Sequence, residues 1–315
     1  MIQNTNERFQ NSDLRSAIDS VICDYQDALS NNATPSSLST GFSGFDQKIN
    51  GLHPGLHLLA GRSQMGKTTL MLNMADHICF EQKVPSLIFS MELRVAEIMR
   101  RMLFSKSSLD PFYRDRNPHP ICKAHLRILR DAANQIAASR LFIEENITFG
   151  VDDLLDTAKQ HKHENHIGFI AIDSLQLLRS PASGSQTSTK AEILAVVSKL
   201  KHFALESNLP ILLIVNIPRK SSRRKDLVKG LPLAHHIKHR DTIDGYLDTI
   251  TTLYQPKYYT EDEGQFLAMQ SLAKLTICKS PRTSFHQIDL HFDKKIMRFF
   301  EVDESETENS FLGYS

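Results

Sequence analysis

The sequence predicts an α/β fold with a mainly parallel β-sheet and an antiparallel extension towards the C-terminus. Two observations indicate this fold class. Between about residue 39 and residue 217, short apolar runs alternate with stretches whose apolar residues recur at helical spacing. The runs lack alternating polar residues, which is typical of strands covered on both faces. Beyond residue 245, four strand-like segments follow one another, which indicates antiparallel pairing.

An amphipathic helix is predicted ahead of this alternating region. Residues 12–29 place apolar side chains three and four positions apart, which forms one apolar stripe on a helix. Residues 31–37, NNATPSS, break this spacing and predict a linker. Two interpretations of the helix stay open: it folds back on its own domain, or it docks on a neighbouring subunit. We expect a tail and linker helix over residues 1–37, one domain over residues 38–301, and an acidic tail over residues 302–315.

The alternating region predicts its elements in a regular order. Apolar runs predict strands at residues 56–61, 85–90, 167–173 and 210–217. Helical spacing predicts helices at residues 67–81, about 94–106, 121–139 and about 190–207. Proline-bearing and serine-rich stretches predict loops at residues 110–120 and 180–189. The C-terminal strand-like segments are LDTITTLY, LAKLTICKS, FHQIDLHFD and IMRFFEV.

Charge balance and apolar content exclude several classes of protein. The 315 residues include 37 lysines and arginines and 36 aspartates and glutamates, for a net charge of +1, which excludes a uniformly basic surface. No apolar run approaches the roughly 20 residues that a membrane helix requires, and the N-terminus has no apolar signal region. The four cysteines are far apart and form no CxxC pair, so we expect reduced thiols in a cytoplasmic protein without a membrane partner.

A phosphate-binding loop is the most specific motif in the sequence. Residues 61–68, GRSQMGKT, match GxxxxGK[ST] and lie between a predicted strand and a predicted helix, as the motif requires. The two glycines allow backbone N–H groups to point at phosphate oxygens, and the helix N-terminus adds its positive dipole end. We expect Lys67 to reach the β- and γ-phosphates and Thr68 to bind Mg²⁺. The predicted nucleotide-binding residues are Gly61, Arg62, Ser63, Gln64, Met65, Gly66, Lys67, Thr68 and Thr69.

Two acidic residues follow predicted strands and are candidates for the metal site and for catalysis. Asp173 ends the run IGFIAID, where a further Mg²⁺ ligand is expected; the alternative is a helix N-cap. Glu92 follows the run LIFS, at the edge where open α/β sheets bind ligands. It is a candidate for the base that activates water in NTP hydrolysis, and the alternative is a solvated carboxylate in the first turn of a helix.

Several motifs follow one another along the chain in an order that points to a family. They are Ser39-Thr40-Gly41-Phe42 with Phe45-Asp46, GRSQMGKTT, LIFSMEL with IMRRML, and IGFIAIDSLQLL. Together they resemble the helicase domain of DnaB-type replicative helicases over residues 38–301. The resemblance implies a RecA-like P-loop NTPase core, hexameric rings, and ATP-driven movement along single-stranded DNA that parts the duplex. It also implies that Glu92 is the general base.

The sequence departs from that family in three places. We do not expect the family's separate N-terminal helical domain in this chain. The amphipathic helix over residues 12–29 resembles the family's linker helix, which docks on the neighbouring subunit. Where the family has Ser-Gln-Leu-Asn-Arg, with a glutamine that senses the γ-phosphate, residues 215–219 read VNIPR, and Asn216 has a shorter side chain. Where the family's Lys-Gln-Arg supplies a lysine and an arginine finger to the next subunit, residues 279–282 read KSPR. Lys279 matches, whereas Arg282 stands one residue beyond the finger position, after a proline that shifts the backbone.

A local cluster of basic residues predicts the nucleic-acid surface. Residues 216–240 hold eight lysines and arginines against one acid, an excess of seven charges. Because the segment follows the nucleotide-sensing strand and contains serine, glycine and proline, we expect a loop that tracks a DNA phosphate backbone, with residues 180–189 as a second candidate loop. The alternatives are a solvated loop and a site for an acidic protein. The predicted DNA-binding residues are Arg219, Lys220, Arg223, Arg224, Lys225, Lys238 and Arg240.

The phosphate-binding loop and the basic segment, together with the family resemblance, imply an ATP-dependent DNA helicase or translocase in DNA replication, with ATP hydrolysed between the subunits of a ring. The expected cofactors are ATP and Mg²⁺, and the expected partners are single-stranded DNA, copies of the same chain in a homo-hexamer, and a primase or helicase loader. One alternative is a RecA-fold, ATP-binding regulator or adaptor with weak or no unwinding activity. Another is a recombination-type RecA paralogue that forms filaments. The expected catalytic residues are Glu92, Lys67, Asn216, Lys279 and Arg282, and the expected Mg²⁺ ligands are Thr68 and Asp173.

Overall fold

The structure covers most of the predicted α/β domain. The computed structural model describes residues 15, 37–110, 123–145, 150–178, 190–218, 237–258, 269–282 and 285–302. Outside the described residues lie the predicted linker helix except Arg15, the loop at residues 180–189, and the acidic tail beyond Val302. Five of the predicted DNA-binding residues also lie outside them: Arg219, Lys220, Arg223, Arg224 and Lys225.

Nine strands of the described chain form one sheet. In chain order they are β1 (Gly55–Gly61), β2 (Ser86–Ser90), β3 (Leu141–Glu145), β4 (Phe169–Asp173), β5 (Pro210–Asn216), β6 (Thr249–Tyr254), β7 (Leu272–Lys279), β8 (His286–Asp293) and β9 (Arg298–Glu301). Their order across the sheet is β3-β2-β4-β5-β1-β6-β7-β8-β9. The first six in this order run parallel, and β7, β8 and β9 pair antiparallel. The predicted α/β fold, a mainly parallel sheet with an antiparallel C-terminal extension, is confirmed.

Two strands differ from the sequence prediction. The sequence pattern does not predict β3, because its segment LFIEE ends in two acidic residues and is only partly buried at the edge of the sheet. It assigns β6 to the antiparallel extension, but β6 pairs parallel with β1, with His57 opposite Thr249. β5 and β6 flank β1 on opposite sides, and both pair parallel with it. The antiparallel extension therefore begins at β7.

Helices connect the parallel strands. In chain order the described helices are α1 (Ser43–Ile49), α2 (Lys67–Asp76), α3 (Val95–Ser107), α4 (Lys123–Ala137), α5 (Val151–Asn165), α6 (Lys190–Glu206) and the short α7 (Arg240–Ile243). A π-helical turn, His77–Glu81, extends α2. The four predicted helices correspond to α2 with this turn, α3, α4 and α6, and their ends agree closely. None of the described helices has both the length and the apolar character of a membrane span.

The core consists of two apolar layers, one on each face of the sheet. Neighbouring residues of β4 alternate between them: Ile170 and Ile172 join the layer that contains α5 and α6, whereas Phe169 and Ala171 join the layer that contains α1, α2 and α3. All seven residues of β1 are buried. Full burial of one large aliphatic side chain stabilises a fold by about 1.5–3 kcal/mol. Burial on both faces explains why these strands appear in the sequence as unbroken apolar runs.

The carboxyl ends of four parallel strands meet at one edge of the sheet. The register pairs Gly61, at the end of β1, with Asn216, at the end of β5. It also pairs Ser90, at the end of β2, with Asp173, at the end of β4. Open α/β sheets bind their ligands at this edge. The parallel register therefore brings together four segments that lie between residues 61 and 216.

Candidate active site

The loop between β1 and α2 has one closely constrained path. Gly66 has a φ of 89° and Gln64 a φ of 69°, both in the left-handed region. A Cβ at Gly66 would lie 2.8 Å from the ring of Phe299, so glycine is required for space as well as for conformation. From behind the loop, the Gln255 side chain donates a hydrogen bond from Nε2 to the Met65 carbonyl at 3.0 Å. The residue after β6 and the strand β9 therefore support the loop from the C-terminal half of the sheet.

Lys67 is enclosed by this loop. Its residue is 6% exposed, and its Nζ donates a hydrogen bond to the Arg62 carbonyl at 2.8 Å. Burial lowers the pKa of Lys67 to about 8, although the negative charges of Asp173 and Glu92 act in the opposite direction. Because burial disfavours the charged form of this ammonium group, an added anion such as a polyphosphate stabilises it.

Thr68 and Asp173 form a pair of oxygen donors. The Thr68 hydroxyl donates to Oδ2 of Asp173 at 2.6 Å, and Asp173 is 1% exposed. Burial raises the pKa of Asp173, against the hydrogen bond from Thr68, and the charge of Glu92 adds to the rise. The alternative of a helix N-cap does not hold, because Ser174 takes that position for the 3₁₀ turn Leu175–Leu177. A hydroxyl beside a carboxylate matches the oxygen ligands that Mg²⁺ prefers.

Glu92 is exposed, and two neighbouring side chains orient its carboxylate. Its Oε1 accepts hydrogen bonds from the Ser174 hydroxyl at 2.8 Å and from Nδ2 of Asn216 at 2.9 Å. Gln176 in turn holds the backbone of Asn216 through two bonds, from Nε2 to the Asn216 carbonyl at 3.0 Å and from the Asn216 N–H to Oε1 at 3.2 Å. The alternative of a simple solvated carboxylate in a helix therefore does not describe Glu92, which precedes α3.

These groups line one cleft of about 420 Å³. Most of the predicted nucleotide and metal ligands lie on its wall, together with Glu92 and Asn216. Gly61, Arg62 and Met65 belong to the loop but not to this wall in the described structure. The predicted residues on the wall are Ser63, Gln64, Gly66, Lys67, Thr68, Thr69, Glu92, Asp173 and Asn216.

Several residues of the cleft are not predicted from the sequence. Arg101 of α3, Lys294 after β8 and the exposed ring of Tyr258 also line the wall. Ser174 and Gln176 lie inside the quoted IDSLQLL block, but the block gives no reason to assign them to Glu92. A serine, glutamine or tyrosine carries no characteristic spacing, so the only available signal was proximity to a recognised motif. An exposed aromatic ring at a cleft can stack on a planar group such as a nucleobase.

Two predicted catalytic residues lie elsewhere. Of the described residues, Lys279 at the end of β7 and the exposed Arg282 stand outside the cleft wall. Lys279 donates from Nζ to the backbone carbonyl of Asp244 and, at 3.0 Å, to Oδ2 of its carboxylate. The Arg282 backbone N–H donates to the Ser280 hydroxyl at 3.3 Å. Both residues are therefore separate from the nucleotide cleft of their own chain.

Two predicted DNA-binding residues fall within the described structure. Lys238 is exposed, just ahead of α7, and Arg240 is the first residue of that helix. Arg240 donates from Nε to Oδ1 of Asp244 at 3.3 Å. The same aspartate therefore contacts a predicted DNA ligand and the predicted trans-acting lysine.

Known proteins resemble this chain in sequence over most of its length. The family model described as "DnaB-like helicase C terminal domain" matches residues 37–301. The probable replicative DNA helicase of Trieres chinensis is 28% identical over 266 residues, which cover 84% of this chain and 57% of that protein. The replicative DNA helicase DnaB of Haemophilus influenzae is 26% identical over 297 residues, which cover 92% of this chain and 60% of that protein. The chain thus spans less than two thirds of the length of these relatives.

Solved structures share the fold. One solved ATPase domain superimposes with a TM-score of 0.78 at 20% identity, covering 91% of this chain and 98% of that one. A DnaB-like replicative helicase, solved in a study of its interactions with primase, gives a TM-score of 0.76 at 20% identity, covering 90% of this chain and 66% of that one. The RecA-like core implied by the sequence motifs is therefore confirmed.

Proposed function

Because the chain belongs to the family of DnaB-like helicase C-terminal domains, we propose that it is an ATP-dependent DNA helicase that acts in DNA replication. The observation that supports this most directly is the convergence of Lys67, Thr68, Asp173 and Glu92 on one cleft at the carboxyl edge of the sheet. These groups supply a phosphate cradle, a pair of oxygen ligands and a carboxylate base, which are the parts that NTP hydrolysis requires.

ATP binds with its phosphates on the loop and under Lys67. The backbone turns at Gln64 and Gly66 expose N–H groups to phosphate oxygens, and the N-terminus of α2 adds its positive dipole end. The negative charge of the phosphates stabilises the charged form of Lys67, which burial disfavours. The Thr68 hydroxyl and the Asp173 carboxylate would hold Mg²⁺, which supplies neutralisation of the charge on the β- and γ-phosphates.

Glu92 orients the attacking water and takes its proton. Among the described residues, both donors to Glu92, the hydroxyl of Ser174 and the amide of Asn216, bind Oε1. Oε2 is therefore left to accept a hydrogen bond from water. Ser174 and Asn216 hold the carboxylate in one orientation, which lowers the entropic cost of reaching the transition state.

Asn216 connects this chemistry to DNA. Its side chain contacts the carboxylate of Glu92, and it is both the last residue of β5 and the first residue of the basic segment over residues 216–240. Loss of the γ-phosphate changes the surroundings of Glu92 and hence of Asn216. The basic segment follows directly, and its cations bind the phosphate backbone of single-stranded DNA in a salt-sensitive way.

The active assembly is a ring of identical chains, with six the number that the family implies. Lys279 lies away from its own cleft, which suits a lysine that acts on the nucleotide of the next subunit. The amphipathic helix over residues 12–29 resembles the family's linker helix, and we propose that it docks on a neighbouring copy. Arg282 stands near Lys279 in sequence and serves as the arginine finger beside this lysine.

We propose that the protein acts in the cytoplasm, where its four widely spaced cysteines, none in a CxxC pair, are expected to stay reduced. A DnaB-like relative of the same fold was solved in a study of its interactions with primase. A primase, or a loader that places the ring on DNA, is accordingly the partner that we propose for this chain.

Steady-state ATP hydrolysis tests this function. We expect the rate to rise on addition of single-stranded DNA, because the basic segment follows the nucleotide-sensing strand, and to be lost in Lys67→Ala. Lys48→Ala, which removes an exposed lysine of α1, is the matched control and should retain stimulation. A slow, unstimulated hydrolysis in a chain that still binds ATP would contradict the helicase and favour an ATP-binding regulator.

A further inference from the structure

Asp244 stands where the basic segment meets the antiparallel extension of the sheet. It is the first residue of the 3₁₀ turn Asp244–Tyr246, between α7 and β6. Its Oδ1 accepts from Nε of Arg240 at 3.3 Å, and its Oδ2 accepts from Nζ of Lys279 at 3.0 Å. The two oxygens of one carboxylate therefore bind two cations that come from different parts of the chain.

The carboxylate of Asp244 is charged in this arrangement. Burial alone would raise the pKa of Asp244, but the hydrogen bond and charge of Lys279, followed by the charge of Arg240, outweigh burial and lower it. The three side chains are about a third exposed: 37% for Asp244, 33% for Lys279 and 30% for Arg240. Ion pairs exposed to this degree contribute little to stability. A change at Asp244 is therefore expected to alter function more than folding.

The geometry of Lys279 suits a residue held ready for another ligand. An ammonium group has three N–H donors. Within the described structure Asp244 engages two of them, one through its backbone carbonyl and one through its carboxylate. The third remains to bind a phosphate oxygen, and its direction is set by the other two. Asp244 thus fixes where the ammonium group lies without using up its capacity to bind.

We propose that Asp244 is a positioning residue that couples the DNA contact of Arg240 to the action of Lys279 on the nucleotide of the neighbouring subunit; this inference rests on the function proposed above. Without DNA, Arg240 and Lys279 share the negative charge of one carboxylate, each on its own oxygen. A DNA phosphate draws Arg240 away, because it offers a charge-assisted bond to the same guanidinium. The full charge of the carboxylate then acts on Lys279 and holds the ammonium group more firmly, which favours hydrolysis in the neighbouring subunit.

The coupling acts in both directions. Binding equilibria at two linked sites change each other by the same factor. A nucleotide that is bound in the adjoining subunit and contacts Lys279 of this subunit is therefore expected to change the affinity of Arg240 for DNA. Removing Asp244 should uncouple the two sites while leaving the cations themselves in place.

Hydrolysis rates of the unmodified 315-residue protein and its variants test the proposal, each measured with and without an oligothymidine. Asp244→Asn should lower the stimulation by DNA about fivefold or more, the lower end of typical coupling between sites. Arg240→Gln removes the second cation from the carboxylate, which leaves its full charge to Lys279, so it should raise the DNA-free rate. In the double variant that combines Asp244→Asn with Arg240→Gln, the DNA-free rate should not rise, because the rise requires the carboxylate of Asp244. Asp241→Asn is the matched control: among the described residues its carboxylate contacts neither cation, and normal stimulation is expected.

A purely structural role for Asp244 would not make the effect of Arg240→Gln depend on it. Stimulation of Asp244→Asn equal to that of the unmodified protein, or a raised DNA-free rate that persists in the double variant, would overturn the proposal. If Asp244→Asn does not fold, Arg240→Gln alone decides: an unchanged DNA-free rate rejects the coupling. Absence of DNA stimulation in the unmodified protein would instead reject the proposed function, and this inference with it.

Discussion

Lys67 is an ammonium group in surroundings that disfavour its charge. Burial brings its pKa to about 8 from the usual 10.5. Phosphates of a bound nucleotide supply negative charge and raise the pKa again. At a pH between the pKa of Lys67 in the free protein and its pKa in the complex, the free protein has partly released a proton that the complex retains. Nucleotide binding in that range therefore takes up protons, and the affinity falls as the pH rises above 8.

Calorimetric titration of Mg·ATP at about pH 8.5, in buffers of different ionisation enthalpy, measures this uptake. We expect net proton uptake for the unmodified protein and a loss of uptake in Lys67→Met, which keeps most of the length of the side chain without the charge. Lys83→Met, at a lysine outside the cleft wall, is the control and should behave as the unmodified protein does. Equal proton uptake by Lys67→Met and the unmodified protein would show that another group titrates.

Residues differ in how far sequence determines their place in the site. Lys67 and Thr68 could be predicted because the loop needs them at fixed spacing, and Asp173 because it ends a buried strand. Ser174 and Gln255 could not be predicted, because their roles depend on contacts with Glu92 and with the Met65 carbonyl that only the folded chain brings together. Their side chains carry no pattern along the sequence.

At the scale of elements, a strand supports the beginning of a helix. The α1 helix has Phe42 at its N-cap position, a residue that cannot accept hydrogen bonds through its side chain. Glu301 of β9 replaces the missing cap. Its carboxylate accepts from the Ser43 hydroxyl at 2.7 Å and from the backbone N–H groups of Gly44 at 3.0 Å and Phe45 at 3.1 Å. The first helix and the last strand of the described domain are joined in this way.

Removing this cap should destabilise the fold. We expect Glu301→Ala to lower the free energy of unfolding by about 1–2 kcal/mol, the usual effect of losing a helix N-cap. Urea denaturation measures the change, and Glu81→Ala, at an exposed carboxylate, is the control. A denaturation midpoint equal to that of the control would mean that water satisfies these N–H groups as well as Glu301 does.

Strands could be predicted from the sequence where burial on both faces makes their residues apolar. The strands β1, β2, β4 and β5 are covered on both faces and appear as apolar runs. β3 is a half-covered edge strand, so its composition is mixed. The direction of β6 depends on which side of β1 it joins, and local sequence carries no information on that choice. Pairing between distant strands therefore limits prediction more than strand formation does.

For the whole molecule, function depends on contacts between distant parts of the chain. The cleft joins residues from Ser63 to Met297, and Asp244 joins the basic segment to Lys279 at the end of β7. The motifs predicted Lys67, Thr68, Glu92 and Asp173 of the cleft one at a time, each from its own segment, but not Arg101, Tyr258 or Lys294. They did not predict Asp244, because neither its type nor its spacing marks it before folding. Shared contacts of this kind have to be observed in the structure.

Strand displacement from a forked DNA duplex tests most directly whether the assembled protein is a helicase. With Mg·ATP, the unmodified protein should release the labelled strand. Lys67→Ala, or the unmodified protein with a non-hydrolysable ATP analogue, should release none. Hydrolysis that is stimulated by single-stranded DNA but releases no strand would contradict the helicase assignment.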